Sequence, residues 1–123
     1  MPSPLVAVVD DDASVRRALT RLLQSAELRV LTYASATEFL ERETSSAPDC
    51  LILDIHLGGM SGLELLSRLR VLGQNLPVLI ITAHDDAQTR EAAVQAGCTA
   101  YLRKPLDARV LLEEVATAMK RAA

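Results

Sequence analysis

The chain has 123 residues, of which half are hydrophobic and 2% are aromatic, and its formal net charge is -3. This length suits one domain, and the apolar content can build an aliphatic core, which argues against disorder. The absence of a basic cluster disfavours direct nucleic-acid binding, and no apolar stretch reaches membrane-spanning length. We therefore expect a single domain over residues 1–123, cytoplasmic, with neither nucleic acid nor membrane as a partner.

The first apolar run predicts a strand that ends in a cluster of acids. Leu5 to Val9 is followed directly by Asp10, Asp11 and Asp12. Apolar residues at helical spacing come next, and Asp12 or Ser14 is suited to cap that helix. The cluster is thus predicted at the carboxyl end of the first strand.

The second and third units repeat the alternation of strand and helix. Leu28 to Leu31 predicts a second strand, and Ser35 to Glu38 is a capping box that opens a short helix through Leu40. The third apolar run, Cys50 to Leu53, ends in Asp54. A second acidic strand end is therefore predicted.

A glycine-rich loop after Asp54 leads to a third predicted helix with four leucines on one face. These are Leu65, Leu66, Leu69 and Leu72. Pro77 opens a fourth strand that ends in Thr82, and Gly97 is placed to stop a fourth helix over Ala87 to Ala96. In that helix we favour a packing role over a dimer face for three alanines, which are Ala92, Ala93 and Ala96.

The fifth strand, Ala100 to Arg103, is followed by Lys104-Pro105, and a last helix completes the chain. Its predicted inner face is Leu112, Val115, Ala116 and Met119. Five such units with nearly continuous apolar strands predict an α/β protein with a parallel sheet covered on both faces. Periodicity leaves the strand order open between two doubly wound orders, and in 2-1-3-4-5 the first and third strands flank the switch point.

The polar residues at the strand ends are predicted to meet, because parallel strands end at one edge of the sheet. Carboxylates held together repel each other, and a divalent cation such as Mg²⁺ would compensate. A carboxylate near the ammonium of Lys104 and the hydroxyl of Thr82 is suited to attack phosphorus. Each residue alone fits a cap or a loop position, but the set predicts phosphoryl chemistry.

With these residues the chain resembles the receiver domain of bacterial two-component response regulators. The resemblance covers Val6 to about Met119. The matching motifs are Val8 to Asp12, Asp54 with Met60 to Leu65, Thr82-Ala83, Tyr101, and Lys104-Pro105. It implies a flavodoxin-like fold, with five parallel strands in the order 2-1-3-4-5 and five helices. Val8 to Leu19 also resembles receivers that precede helix-turn-helix output domains of the LuxR type, as in FixJ-like regulators.

The resemblance implies a metal-dependent phosphoacceptor. Asp54 would accept a phosphoryl group from a histidine kinase, so the chain would promote its own phosphorylation and dephosphorylation without being an ordinary enzyme. Mg²⁺ would be held by Asp10, Asp11, Asp54 and the backbone carbonyl of His56. Asp11 would be the more direct ligand of the acidic pair, and Asp12 would serve as the helix cap.

The resemblance also implies a switch. Lys104, followed by Pro105, would pair with the phosphoryl group, and Thr82 of the Thr82-Ala83 pair would move towards it while Tyr101 turns inward. The surface of the fourth helix, fifth strand and fifth helix would then form a homodimer or bind an output domain, with transcription as the regulated process.

Some positions depart from the family pattern. Gly58 stands where proline is usual and Leu106 where phenylalanine is frequent, which makes the loop after Asp54 a candidate for greater mobility. His56 and His84 occupy variable positions that influence the lifetime of the phosphorylated state. A zinc site formed by these two histidines is an alternative without further ligand spacing to support it.

Cys50 and Cys98 form no C-x-x-C motif, and we interpret them as buried, reduced, small hydrophobic residues.

Two functions other than a phosphoacceptor receiver fit the same residues. One is an aspartyl-phosphate phosphatase of the haloacid-dehalogenase type, with Asp10 as nucleophile, although the pair Asp85-Asp86 precedes Lys104 instead of following it. The other is a receiver-shaped interaction module that is never phosphorylated. The acidic cluster, Asp54 and Lys104 argue against the second.

Overall fold

The computed structural model describes residues 3–42 and 47–122, in which strands and helices alternate. The elements are β1 Leu5–Val9, α1 Ala13–Ser25, β2 Arg29–Tyr33, α2 Ala36–Leu40, β3 Cys50–Asp54, α3 Gly62–Val71, β4 Val78–Thr82, α4 Ala87–Gln95, β5 Ala100–Arg103 and α5 Ala108–Ala122. The strands form one parallel sheet in the order β2-β1-β3-β4-β5. The predicted α/β fold and the strand order implied by the resemblance are both confirmed.

The three central strands are buried along their whole length, which explains their nearly continuous apolar sequences. Alternate side chains enter two cores, one on each face of the sheet. One core contains Phe39 and Leu65, and the other contains Leu23 and Leu111. With both faces covered, the exposed edge at the carboxyl ends of the strands is left for polar residues.

Both cysteines carry free thiols in this fold, and the predicted burial is confirmed for one of them. Cys50 lies fully buried at the start of β3 and Cys98 is half-buried. Burial raises the pKa of the Cys50 thiol to about 12, so this thiol stays protonated and unreactive at neutral pH.

The predicted helix caps are confirmed. Asp12 is the N-cap of α1, and its side chain accepts hydrogen bonds from the backbone of Ser14 and Val15. Ser35 caps α2 through the backbone N–H of Glu38. These caps satisfy backbone donors that the first turn of a helix leaves unpaired.

Two predicted element boundaries differ slightly from the structure, and so does the predicted packing of the three α4 alanines. β2 runs from Arg29 to Tyr33, later than predicted, because backbone pairing with β1 extends the strand through polar positions. α4 ends at Gln95, and Gly97 follows it with a φ of 95°. Of its three alanines, Ala93 is buried and Ala96 is partly buried in the core, but Ala92 is exposed.

One predicted position in each of two helices is wrong. Leu72 lies just beyond the end of α3 and is 64% exposed. On α5, Val115 is buried and Leu112 and Met119 are partly buried against the core, as predicted, whereas Ala116 is exposed. The docking of the helix on the sheet centres its most deeply buried stripe on Leu111, Val115 and Ala118. In the described ranges no helix is both long enough and apolar enough to cross a membrane.

Candidate functional site

The carboxyl ends of β1 and β3 bring three acids together. The two strands are neighbours, with Val9 opposite Leu53, so Asp10 and Asp54 leave the sheet side by side. Asp10 is fully buried, Asp54 is 4% exposed and Asp11 is exposed. One carboxylate oxygen from each lies within 4.8 Å of the other two. Hard oxygen ligands at this spacing, open to water through Asp11, suit Mg²⁺.

Lys104 lies across this cluster from the end of β5. Its Nζ donates to Asp10 Oδ2 at 3.0 Å and to Asp54 Oδ2 at 3.1 Å. The backbone N–H of Lys104 donates to Thr82 O at 2.7 Å, and the Lys104–Pro105 peptide bond is cis. One ammonium therefore pairs with two acids that are 94 and 50 residues away in sequence.

Opposing effects set the charge state of the pair. Burial raises the pKa of Asp54, and hydrogen bonds from His56 N–H and Lys104 only partly offset it. Burial alone would lower the pKa of Lys104, but its hydrogen bonds to Asp10 and Asp54 together raise it. Lys104 therefore stays an ammonium at neutral pH, whereas burial disfavours the charged form of Asp54 more than its hydrogen bonds favour it.

Backbone contacts fix the orientation of both buried carboxylates. Asp10 Oδ1 accepts from Asp12 N–H at 2.9 Å, and Asp54 Oδ1 accepts from His56 N–H at 3.0 Å. Arg16, which the sequence did not single out, donates from Nη1 to Asp10 O at 2.7 Å. The position of Arg16, one turn into α1 and six residues after Asp10, could have indicated this contact from the sequence.

The two predicted switch residues are not joined to the acids in this arrangement. Thr82 is fully buried, and its Oγ1 donates to His84 O at 3.1 Å and accepts from His84 N–H at 3.0 Å. Tyr101 is half-buried, and no described residue pairs with its hydroxyl. Ala83, beside Thr82, is exposed at the rim of the crevice.

The two histidines meet at the same rim. The rings of His56 and His84 are both exposed and form an edge-to-face contact with centroids 5.2 Å apart. In the described part of the chain, the three-residue ligand cluster is that of Asp10, Asp11 and Asp54, and the histidines belong to no such group. The zinc alternative therefore has no third ligand to support it.

An ion-pair cluster beside the site was missed from the sequence. Asp85, in the loop between β4 and α4, lies against Arg90 of α4 and Arg103 of β5. The pairing of Thr82 with Arg103 in the sheet brings the two elements together. Only the strand order could have identified this cluster, because Asp85 and Arg103 lie far apart in sequence.

Replacement of Lys104 by methionine is expected to destabilise the metal-free fold. Asp10 and Asp54 would lose a shared donor and repel each other, at a cost of about 1–3 kcal/mol in the free energy of unfolding. Urea denaturation in EDTA measures this loss, and Mg²⁺ should restore part of it. Lys120→Met at an exposed position is the matched control, and equal stability of the two variants would contradict the prediction.

Comparisons with known proteins agree with this geometry. The family model "Response regulator receiver domain" matches residues 6–116. Nodulation protein W of Bradyrhizobium diazoefficiens is 38% identical over 117 residues, which are 95% of this chain and 52% of that protein. Transcriptional regulatory protein TdiR of Thauera aromatica is 41% identical over 114 residues, which are 93% of this chain and 50% of that protein.

A solved structure extends the comparison to the fold. The Francisella response regulator 1452 receiver domain superposes with a TM-score of 0.92 at 25% identity, covering 98% of this chain and all of that one. The chain spans about half the length of the two curated relatives named above.

Proposed function

Because the chain belongs to the response regulator receiver domain family, we propose that Asp54 accepts a phosphoryl group from the phosphohistidine of a histidine kinase. One observation supports this assignment above the others. Lys104 Nζ lies between Asp10 and Asp54, 3.0 and 3.1 Å from their oxygens, at the edge where Asp11 is open to solvent. A nucleophile, a fixed cation, a buried acid and an exposed acid thus share one crevice.

In the proposed reaction, a carboxylate oxygen of Asp54 attacks phosphorus as the bond from phosphorus to the donor's imidazole nitrogen breaks. The product is an acyl phosphate, and the donor histidine leaves as imidazole, which takes up a proton from solvent. Lys104 is placed to stabilise charge on the transferred oxygens, and His56 N–H holds the carboxylate in position.

Asp10, Asp11, Asp54 and the carbonyl of His56 are the residues that would hold Mg²⁺. When bound, this ion supplies positive charge that reduces repulsion between the acids and the phosphoryl oxygens. The fit rests on the three carboxylate oxygens within 4.8 Å and on the burial that disfavours the charged form of Asp54.

A receiver domain is not an ordinary enzyme. We assign to this chain a single receiver domain over residues 1–123 that promotes its own phosphorylation and the hydrolysis of its phosphate. Hydrolysis needs a water in line with the acyl phosphate, and the rim of the crevice at His56 and His84 is exposed to solvent. The phosphatase alternative is not favoured, because the chain matches the receiver family over residues 6–116.

The output of the switch is proposed to involve the surface of α4, β5 and α5. Val94 on α4 and Val110 on α5 are 61% and 41% exposed, so apolar side chains are available for a homodimer or an output domain. The named relatives include a transcriptional regulator, which supports transcription as the regulated process. Light scattering with beryllofluoride as a phosphoryl mimic should show a larger particle, and an unchanged mass would argue against the homodimer.

The proposed function is tested by intact mass after incubation with acetyl phosphate. We expect a gain of one phosphoryl group that requires Mg²⁺ and is abolished by EDTA, and transfer from a phosphorylated kinase core should follow the same requirement. No gain from either donor would contradict the proposal. Steady turnover of a phosphate ester that Asp10→Ala removes and Asp54→Ala preserves would support the phosphatase instead.

A further inference from the structure

The ion-pair cluster next to the crevice takes no part in the proposed phosphoryl transfer. Its centre is Asp85, whose side chain is only 10% exposed. Asp85 Oδ2 accepts from Arg90 Nη2 at 2.5 Å and lies 3.7 Å from Arg103 Nη1. A single carboxylate therefore connects the loop between β4 and α4 to both α4 and β5.

Two buried polar atoms in this cluster are left without partners. Among the described residues, neither Asp85 Oδ1 nor the Tyr101 hydroxyl has a hydrogen-bond partner. The guanidinium of Arg90 lies 5.5 Å from the centre of the Tyr101 ring. Burial and the nearby Asp85 carboxylate raise the pKa of Tyr101, so the carboxylate lies close enough to the hydroxyl to act on it. Buried polar groups without a well-formed hydrogen bond are costly, so this arrangement does not satisfy the two groups fully.

The cluster is linked to the crevice through the backbone. Thr82 Oγ1 makes both of its hydrogen bonds with His84, the residue immediately before Asp85. To reach a phosphoryl group on Asp54, the Thr82 hydroxyl must give up these bonds, and the loop must release it. The ion pairs of Asp85 with Arg90 and Arg103 hold that loop in place.

We propose that Asp85 is a positioning residue whose ion pairs with Arg90 and Arg103 hold the β4–α4 loop and Tyr101 in the unphosphorylated arrangement. The restraint opposes the movement of Thr82 that accompanies phosphorylation of Asp54, and to this extent the inference rests on the proposed function. Weakening the restraint shifts the free chain towards the switched arrangement, which has the Thr82 hydroxyl closer to the incoming phosphoryl group.

The first measurement needs no phosphorylation. The chain has two tyrosines and no tryptophan, so a Tyr33→Phe background leaves Tyr101 as the single phenol in an ultraviolet pH titration. We expect Asp85→Asn to lower the pKa of Tyr101, because a negative neighbour is removed. Glu113→Gln, which breaks the exposed pair between Arg109 and Glu113, is the matched control and should leave the pKa unchanged.

The second measurement is the rate of phosphoryl uptake from acetyl phosphate with Mg²⁺. Asp85→Asn and Arg90→Gln should each increase the rate about two- to fivefold, the range expected from losing a partly exposed ion pair. The double variant should be no faster than the faster single variant, because both substitutions remove the same contact.

The two measurements test separate parts of the proposal. An unchanged pKa of Tyr101 in Asp85→Asn would overturn the contact between the two residues. An unchanged or slower uptake rate, or additive effects in the double variant, would overturn the restraint. If the parent chain takes up no phosphoryl group, the proposed function fails, and the Tyr101 titration still decides whether Asp85 acts on this side chain.

Discussion

Asp54→Asn is expected to take up no phosphoryl group from acetyl phosphate under conditions in which the parent chain gains one. An amide nitrogen and its carbonyl cannot replace a carboxylate as nucleophile, although Asn keeps the size of the side chain. The fold should survive, because burial disfavours the charge of Asp54 and raises its pKa. Intact mass with and without Mg²⁺ measures the uptake.

The stability of Asp54→Asn separates lost chemistry from lost fold. A carboxyl group whose pKa is higher in the folded than in the unfolded state destabilises the fold once the group is ionised in both states. This penalty is absent at acid pH and fully present above the raised pKa, so metal-free Asp54→Asn should gain stability over the parent as pH rises to neutrality. Urea denaturation across this range measures the difference, and a variant less stable at neutral pH would contradict the sign.

The control for uptake is Asp12→Asn, in the third position of the acidic triplet. Asp12 caps α1, and Asn is an equally good N-cap, so uptake should match that of the parent. Phosphoryl uptake by Asp54→Asn would show that another acid is the acceptor, and Asp10 and Asp11 are the nearest.

Gly62→Ala should destabilise the fold by about 3 kcal/mol, at the upper end for inserting a methyl group into a packed site. A Cβ at this position would lie 2.2 Å from Asp54 O and 2.8 Å from Ile55 Cα. Both are backbone atoms, so the first turn of α3 must move away from the end of β3. Denaturation by urea measures the loss, which should appear as a lower midpoint.

Gly58→Ala is the matched control in the same loop region. A Cβ there has no neighbour within 4 Å, so we expect a change within about 0.5 kcal/mol. Equal stability of the two variants would show that α3 can shift without cost. Because the clash involves the carbonyl of Asp54 itself, slower phosphoryl uptake by folded Gly62→Ala is a further expected result.

Much of the fold could be predicted because local signals agreed with the tertiary structure. β1, β3 and β4 are fully buried, and their apolar runs identify them as strands without any information about the adjacent strands. The polar Arg29 and Thr32 obscured β2, since its place in the sheet is set by pairing with β1. The capping residues Asp12 and Ser35 were equally local signals.

The candidate site was predictable for a geometric reason. Parallel strands end at one edge, so Asp10, Asp54, Thr82 and Lys104 had to lie near each other once the strands were identified. Their roles in phosphoryl transfer remain predictions. The contact of Lys104 with both buried acids gives these roles a physical basis that sequence position alone could not supply.

Local sequence signals were enough to identify β1, β3 and β4, the helix caps and the polar residues at the strand ends, because each depends on neighbours a few positions away. The tertiary structure was needed to show which stripe of α5 is most deeply buried, that Thr82 bonds to His84, and that Asp85 meets Arg103. The helix stripe and the ion pair depend on contacts between distant elements. The hydrogen bonds between Thr82 and His84 are local in sequence, but which group the Thr82 hydroxyl contacts depends on how the loop packs. Side-chain chemistry alone would allow several partners for Thr82, Asp85 and the α5 residues.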